Sequence, residues 1–258
     1  MDSTIDALQR THSELAGVVR TLSDEQLEHG SGASEWTVAQ VLSHLGSGAE
    51  ITAATLRAAT AGAPGPEQDF NQAVWDSWNA LSPRQQAGGF LTTDSALVAS
   101  FQELTAAQRE GLQVAVGFSP APLPLAAYLG MRLNEAAQHA WDVRVSVDPG
   151  AAIDAGTALL LAEHFATDLS FLLGFTSKPD ALAQPSVVEI EGTDFALVIA
   201  EKVSVATSAP PRTARLAGPL EAVIRLLSGR LTAGHTPTDV QVTGNITLDD
   251  LRRVFPGY

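Results

Sequence analysis

At 258 residues the chain is long enough for one large domain or two of ordinary size, and 45% apolar with 17% charged residues excludes a disordered polymer. A net charge of -14, with no basic cluster to interrupt it, opposes binding to a phosphate backbone or to an anionic membrane surface. The absence of cysteine excludes disulfides, iron–sulfur clusters, thiolate metal ligands and a cysteine nucleophile, so any thiol chemistry requires an external thiol.

The N-terminal Met1-Asp2-Ser3-Thr4-Ile5-Asp6 lacks the basic and apolar regions of a signal peptide, and no apolar run is long enough to span a bilayer. A cytoplasmic location is therefore expected. Ile5, Leu8, His12, Leu15, Val18 and Leu22 recur at helical spacing, which predicts an amphipathic first helix. Ser23-Asp24-Glu25 starts a short turn that Gly30-Ser31-Gly32 breaks. Thr37-Val38-Ala39-Gln40 has the form of a capping box and opens a second helix running to about Ala61. A short helix is expected around Trp75 and Trp78, with Ser82-Pro83 and Gly88-Gly89 as punctuation. A third long helix is expected from about Ser95 to Val116 and, after Pro120, Pro122 and Pro124, a fourth from about Leu125 to Val145. Four helices with polar connections suggest a bundle over residues 1–150.

After Asp148-Pro149-Gly150 the pattern changes. Ala155–Phe175 reads as one apolar helix, followed by short strands at Val187–Glu191, Ala196–Ala200 and Val203–Thr207. A further strand at Thr213–Leu216, a helix at Pro219–Leu227, a strand at Val240–Val242 and a final helix at Leu248–Phe255 give a mixed α/β domain over 151–258.

Glu135 and His139 stand four apart on the fourth helix, so both rise from one face and can share an ion. The spacing alone is cheap. Glu25 and His29 repeat it, and His164 and Asp168 reverse it, where helix-end preferences or a local ion pair explain them. A third donor on another helix separates the candidate site from these. His44, between Val41 and Leu45 on the second helix, is so placed, and two imidazoles with one carboxylate leave zinc at least one open position. His44 alone also fits a satisfied core histidine, and Glu135 alone a partner for Arg132 or His139. His12 is expected to be a core histidine, Trp36 and Trp141 core or interface aromatics, Asp142 a helix-end residue or a partner to a ligand, and His235 a solvent-facing loop residue.

The segment Glu35-Trp36-Thr37-Val38-Ala39-Gln40-Val41-Leu42-Ser43-His44-Leu45 resembles the W-T-V-x-x-V-x-x-H-L signature of DinB-like four-helix metalloproteins. Asn134-Glu135-Ala136-Ala137-Gln138-His139-Ala140-Trp141-Asp142-Val143 is similar to the mycothiol-dependent maleylpyruvate isomerase branch, in which E-x-x-x-H replaces H-x-x-x-H. Arg225-Leu226-Leu227-Ser228-Gly229-Arg230 and Val242-Thr243-Gly244-Asn245 resemble that family's C-terminal domain. The resemblance implies a DinB-like four-helix bundle over 1–150. It implies a small sterol-carrier-like α/β domain with a mostly antiparallel sheet over 151–258. It places zinc, or another divalent metal, on His44, Glu135 and His139, and a functional arginine at Arg230, with Arg225 and a plain helix-end cation as the alternatives.

Mycothiol, the low-molecular-weight thiol of actinobacteria, is the implied cosubstrate. A small electrophile is the implied partner, in cis–trans isomerisation or S-transfer by a monomer or homodimer. The Arg-rich, Lys-poor, Ala-rich composition agrees with a GC-rich actinobacterial genome. Two other readings stay open at this point: a non-haem iron enzyme, since two histidines and a carboxylate also hold iron, and a non-catalytic metal-binding or regulatory module on the same fold.

Overall fold

The computed structural model describes residues 1–208 and 211–257 and divides into two units, Met1–Ala151 and Ala152–Tyr258. In the first unit, α1 (Asp2–Val19) buries Ile5, Leu8, His12, Leu15 and Val19, the stripe that its spacing predicts. Ser23 caps the short α2 (Asp24–Glu28). α3 (Val38–Thr60) starts at Thr37, whose hydroxyl accepts the Gln40 N–H at 3.2 Å while the Gln40 side chain accepts the Thr37 N–H at 2.8 Å. This reciprocal pair satisfies two of the donors that a helix start leaves open.

α4 (Gln68–Asn79) carries Trp75 and Trp78, and α5 covers Pro83–Gln102. The expected third helix from Ser95 to Val116 is thus corrected. The segment opens twelve residues earlier, where Ser82 and Gln85 form a capping box around Pro83 at the first turn. It ends before a second box, Thr105 with Gln108, which starts the separate α6 (Ala106–Gly111). Gly88-Gly89 lies inside α5 and is not a break. Its glycine has a packing reason: a Cβ on Gly89 would lie 2.8 Å from the Trp78 ring, and one on Gly46 of α3 only 2.1 Å from it. The two glycines form a slot for the indole, whose Nε1 donates to Glu50 at 2.8 Å.

β1 (Gln113–Val114) and β2 (Leu123–Pro124) pair antiparallel in the proline-rich connection, and α7 (Leu125–Arg144) follows. α1, α3, α5 and α7 make the bundle. Its core includes Leu15, Val19, Val41, Leu42, Leu45, Phe90, Ala140 and Val143. One buried polar network ties all four long helices. Asp94 of α5 pairs with His12 Nδ1 of α1 at 2.7 Å and accepts from Arg132 Nη2 of α7 at 2.5 Å; the same Nη2 donates to the Leu45 carbonyl of α3 at 3.1 Å. Desolvation works against ionisation of Asp94, but the Arg132 charge and the hydrogen bonds from His12 and Arg132 outweigh it and hold the carboxyl below its ordinary 3.8.

In the second unit, α8 (Ala155–Ala166) stops short of the single helix expected to Phe175. The Thr167 hydroxyl donates to the Glu163 carbonyl at 2.7 Å and the Asp168 carboxylate pairs with His164 Nδ1 at 2.9 Å, so local side-chain bonds compete with continuation. A 3-10 turn at Ser170–Leu172 and α9 (Leu173–Thr176) complete the segment. β3 (Ser186–Ile190), β4 (Ala196–Ile199), β5 (Val203–Ala206), β6 (Ala214–Ala217) and β7 (Gln241–Gly244) form a sheet of order β5-β4-β3-β6-β7. Only β3 and β6 pair in parallel, so the sheet is mostly antiparallel as expected. β3 is buried at four of its five positions, as a central strand should be, while β7 is an exposed edge. α10 (Leu220–Leu227) packs with α8, and α11 (Leu248–Val254) opens on a Thr247–Asp250 capping box. Among the described residues no single helix is long and apolar enough to cross a membrane.

Candidate metal centre

His44 stands two turns into α3, flanked by Val41 and Leu45, both at 1% exposure or less. Those neighbours fix the helix against the core and leave the imidazole at the margin of the apolar face, with 37% of its side chain exposed. α7 brings Glu135 and His139 to the same place. His44 Nε2 lies 3.1 Å from Glu135 Oε2, and His139 Nε2 lies 3.6 Å from the same oxygen. One donor atom from each of the three residues falls within 4.8 Å of the others; among the described residues no other cluster meets that condition.

These separations test the fit to a metal. Donors about 2.0–2.1 Å from a tetrahedral zinc are ~3.3 Å apart along each edge. Two of the three edges, 3.1 and 3.6 Å, bracket that spacing, and the third is within 4.8 Å. The donor types also fit, since imidazole nitrogen and carboxylate oxygen are ordinary zinc ligands and three of them leave a position open. Desolvation opposes ionisation of Glu135, but the hydrogen bond with His44 and the charges of His139, His44 and Arg132 outweigh it and hold the carboxyl down at about 2, below its ordinary 4.5. Glu135 is therefore a carboxylate at neutral pH, the form that binds a cation.

The surroundings of the triad are unequal. His139 Nδ1 pairs with Asp142 Oδ2 at 2.8 Å, and Asp142 is completely buried. The Trp36 ring stacks on His139 at 5.9 Å between centroids with 21° between planes, and it tilts against His44 at 5.1 Å. The loop carrying Trp36 is docked tightly: the Gly32 N–H donates to the Asp142 carbonyl at 2.8 Å. A Cβ on Gly32 would meet the Asp142 Cα at 2.9 Å and Val145 Cγ1 at 2.8 Å.

His12 is buried against Asp94, a satisfied core histidine as expected. Trp141 is a core residue at 1% exposure, its Nε1 donating to the Ala151 carbonyl. Trp36 is not a core residue: it is 38% exposed and lies over both imidazoles. Asp142 is the partner of a candidate ligand, and the H-x-x-D spacing of His139 and Asp142, one helical turn, is the signal that points to it. His29 sits 3.8 Å from Glu25 on the surface and His164 2.9 Å from Asp168, both local pairs.

In the second unit Arg225 is 2% exposed, bonded twice to Glu221 at 2.7 and 2.8 Å and once to the His235 carbonyl, which makes it a structural cation. Arg230 follows Gly229, whose φ of +76° turns the chain after α10; its guanidinium donates to the Ser228 carbonyl at 3.3 Å. His235 is half-buried in a 3-10 turn, with Nδ1 3.2 Å from the Thr232 hydroxyl, and so is less open than its Gly/Thr/Pro surroundings suggest.

A helical bundle with two histidines and a glutamate converging from two helices defines a DinB-like candidate metalloprotein. The family model described as mycothiol maleylpyruvate isomerase N-terminal domain matches residues 8–144, and the chain belongs to that family. The fold is similar to the crystal structure of the mycothiol-dependent maleylpyruvate isomerase, with a TM-score of 0.67 at 14% identity over 95% of this chain and 94% of that one. A histidine-to-alanine mutant of that enzyme gives the same score and coverage at 15% identity. No curated protein sequence matches the chain.

Proposed function

We propose that this chain is an enzyme that holds zinc, or another divalent cation, on His44, Glu135 and His139. There it activates a low-molecular-weight thiol, mycothiol, for attack on a small electrophile. The observation that carries the reading is the convergence of those three side chains from α3 and α7 within 4.8 Å. A divalent cation on such a donor set supplies a Lewis acid with an open position, where a thiol ionises near neutral pH. Glu135 contributes the negative charge that offsets the cation, and each imidazole contributes a nitrogen lone pair. Trp36 excludes water from one side of the histidines, while the exposed edges of His44 and Glu135 leave another side open to reactants. With no cysteine in the chain, no protein thiol competes for that position.

The thiol gives up its proton to solvent and its sulfur adds to an activated carbon–carbon double bond, whose π pair moves onto the conjugated carbonyl. In an isomerase, rotation about the resulting single bond and return of that pair expel the thiolate, which is reprotonated; in an S-transferase the adduct is protonated on carbon and the carbon–sulfur bond persists. Arg230 is proposed to bind a carboxylate of the electrophile, which a guanidinium matches in geometry. A cytoplasmic setting, a monomeric or homodimeric state, and the absence of nucleic-acid and membrane partners belong to the same proposal.

Elemental analysis of the purified protein, followed by turnover assays with mycothiol and maleylpyruvate-like electrophiles, tests the reading. Near-stoichiometric zinc and thiol-dependent turnover are expected. Stoichiometric iron with oxygen-dependent activity, or metal uptake without thiol-dependent turnover of any electrophile, would sink it. Arg230→Lys is expected to weaken turnover while metal content stays unchanged, because an ammonium does not reproduce the bidentate fork.

A further inference from the structure

The three candidate ligands are not held equally. His44 and Glu135 keep 37% and 41% of their side chains exposed, whereas His139 keeps 11%. His139 is fixed along two directions: its Nδ1 lies 2.8 Å from the Asp142 carboxylate, and its ring face lies against the Trp36 indole. Asp142 has no exposure at all. Burying a carboxylate is costly unless hydrogen bonds compensate it, so its placement one turn from a candidate ligand needs a reason that helix packing alone does not give.

We infer that Asp142 is a positioning residue for the metal centre, an inference that rests on the proposed metal site and deepens it. Asp142 Oδ2 accepts the Nδ1–H of His139, which selects the tautomer with its lone pair on Nε2. That nitrogen is the one facing Glu135 Oε2 at 3.6 Å. A carboxylate behind an imidazole also locks the ring plane. His139 would thereby be the most firmly held of the three ligands, with the more exposed His44 and Glu135 completing the donor set.

The test compares the native full chain with Asp142→Asn and Asp142→Ala, each stripped of metal and titrated with cobalt(II) against a chromophoric chelator. The visible cobalt absorption reports coordination geometry, and circular dichroism reports folding. Loss of the carboxylate in Asp142→Ala is expected to lower cobalt affinity about 10–100-fold and to change the cobalt spectrum. Asp142→Asn, isosteric and still able to accept from Nδ1–H, is expected to fall between the native chain and Asp142→Ala. If Asp142→Ala does not fold, Asp142→Asn decides alone. Folded variants that bind cobalt within about twofold of native, with the native spectrum, overturn the positioning role while leaving the metal site intact. A native chain that takes up no cobalt overturns both.

Discussion

His44 is a ligand candidate that the bundle can lose without losing its core, because 37% of its side chain is exposed and its apolar neighbours carry the packing. His44→Ala is therefore expected to leave the melting temperature of the metal-free protein nearly unchanged, within about 0.5 kcal/mol of stability. The native chain should melt higher when zinc is added in excess, by linkage, and the variant should not. Calorimetric scans with and without metal check this. A second residue-scale expectation concerns Trp36, whose ring centroid lies 5.1 and 5.9 Å from the two imidazoles. Cobalt(II) should quench part of the indole fluorescence, and Trp36→Phe should abolish that part; quenching unchanged in the variant would place the ion elsewhere. The three ligand candidates were legible as residues, since E-x-x-x-H and a histidine after a capped helix start are sequence patterns. Asp142 was half legible through its spacing from His139. The role of Trp36 was not, because a loop's path over two imidazoles is set by tertiary contacts and has no periodicity to betray it.

The helices were legible where the start signal was read and misplaced where it was not. Thr37-Val38-Ala39-Gln40 marks α3 correctly. The same signal in Ser82-Pro83-Arg84-Gln85 and Thr105-Ala106-Ala107-Gln108 marks α5 and α6, and following those boxes instead of apolar spacing would have placed both. Gly88-Gly89 misled because glycine is normally a breaker, while here Gly89 makes room for an indole from another helix. Thr37→Ala removes one half of a reciprocal cap and should cost about 1 kcal/mol in urea unfolding. Gly46→Ala, whose new methyl would start 2.1 Å from the Trp78 ring, should cost about 1–3 kcal/mol even though alanine favours helix. A neutral or stabilising result would show that the indole can leave its slot freely.

For the molecule as a whole, the two-part composition was legible in the change from helical to strand patterning after residue 150. The polar knot inside the bundle was not. His12, Asp94 and Arg132 are separated by 82 and 38 positions, and no local rule links them. The knot has a pH signature. The folded carboxyl of Asp94 titrates below its ordinary 3.8, so the stabilisation it brings is complete above about pH 4 and is lost as pH falls through the lower folded value. Acid titration of stability should therefore steepen below pH 4, and Asp94→Asn should flatten that limb while lowering stability at neutral pH. An unchanged acid limb in the variant would contradict the assignment.

Gly32 is constrained by what faces it. This residue is half-buried in the loop before α3 and is not in a left-handed conformation, so backbone geometry does not demand glycine. The demand comes from the opposite wall: Asp142 Cα is backbone and cannot swing aside for a new methyl group. A library of single substitutions scored for zinc retention should therefore find this position nearly as restricted as the ligands themselves. Ser34, two residues along the same loop and exposed, should accept most replacements.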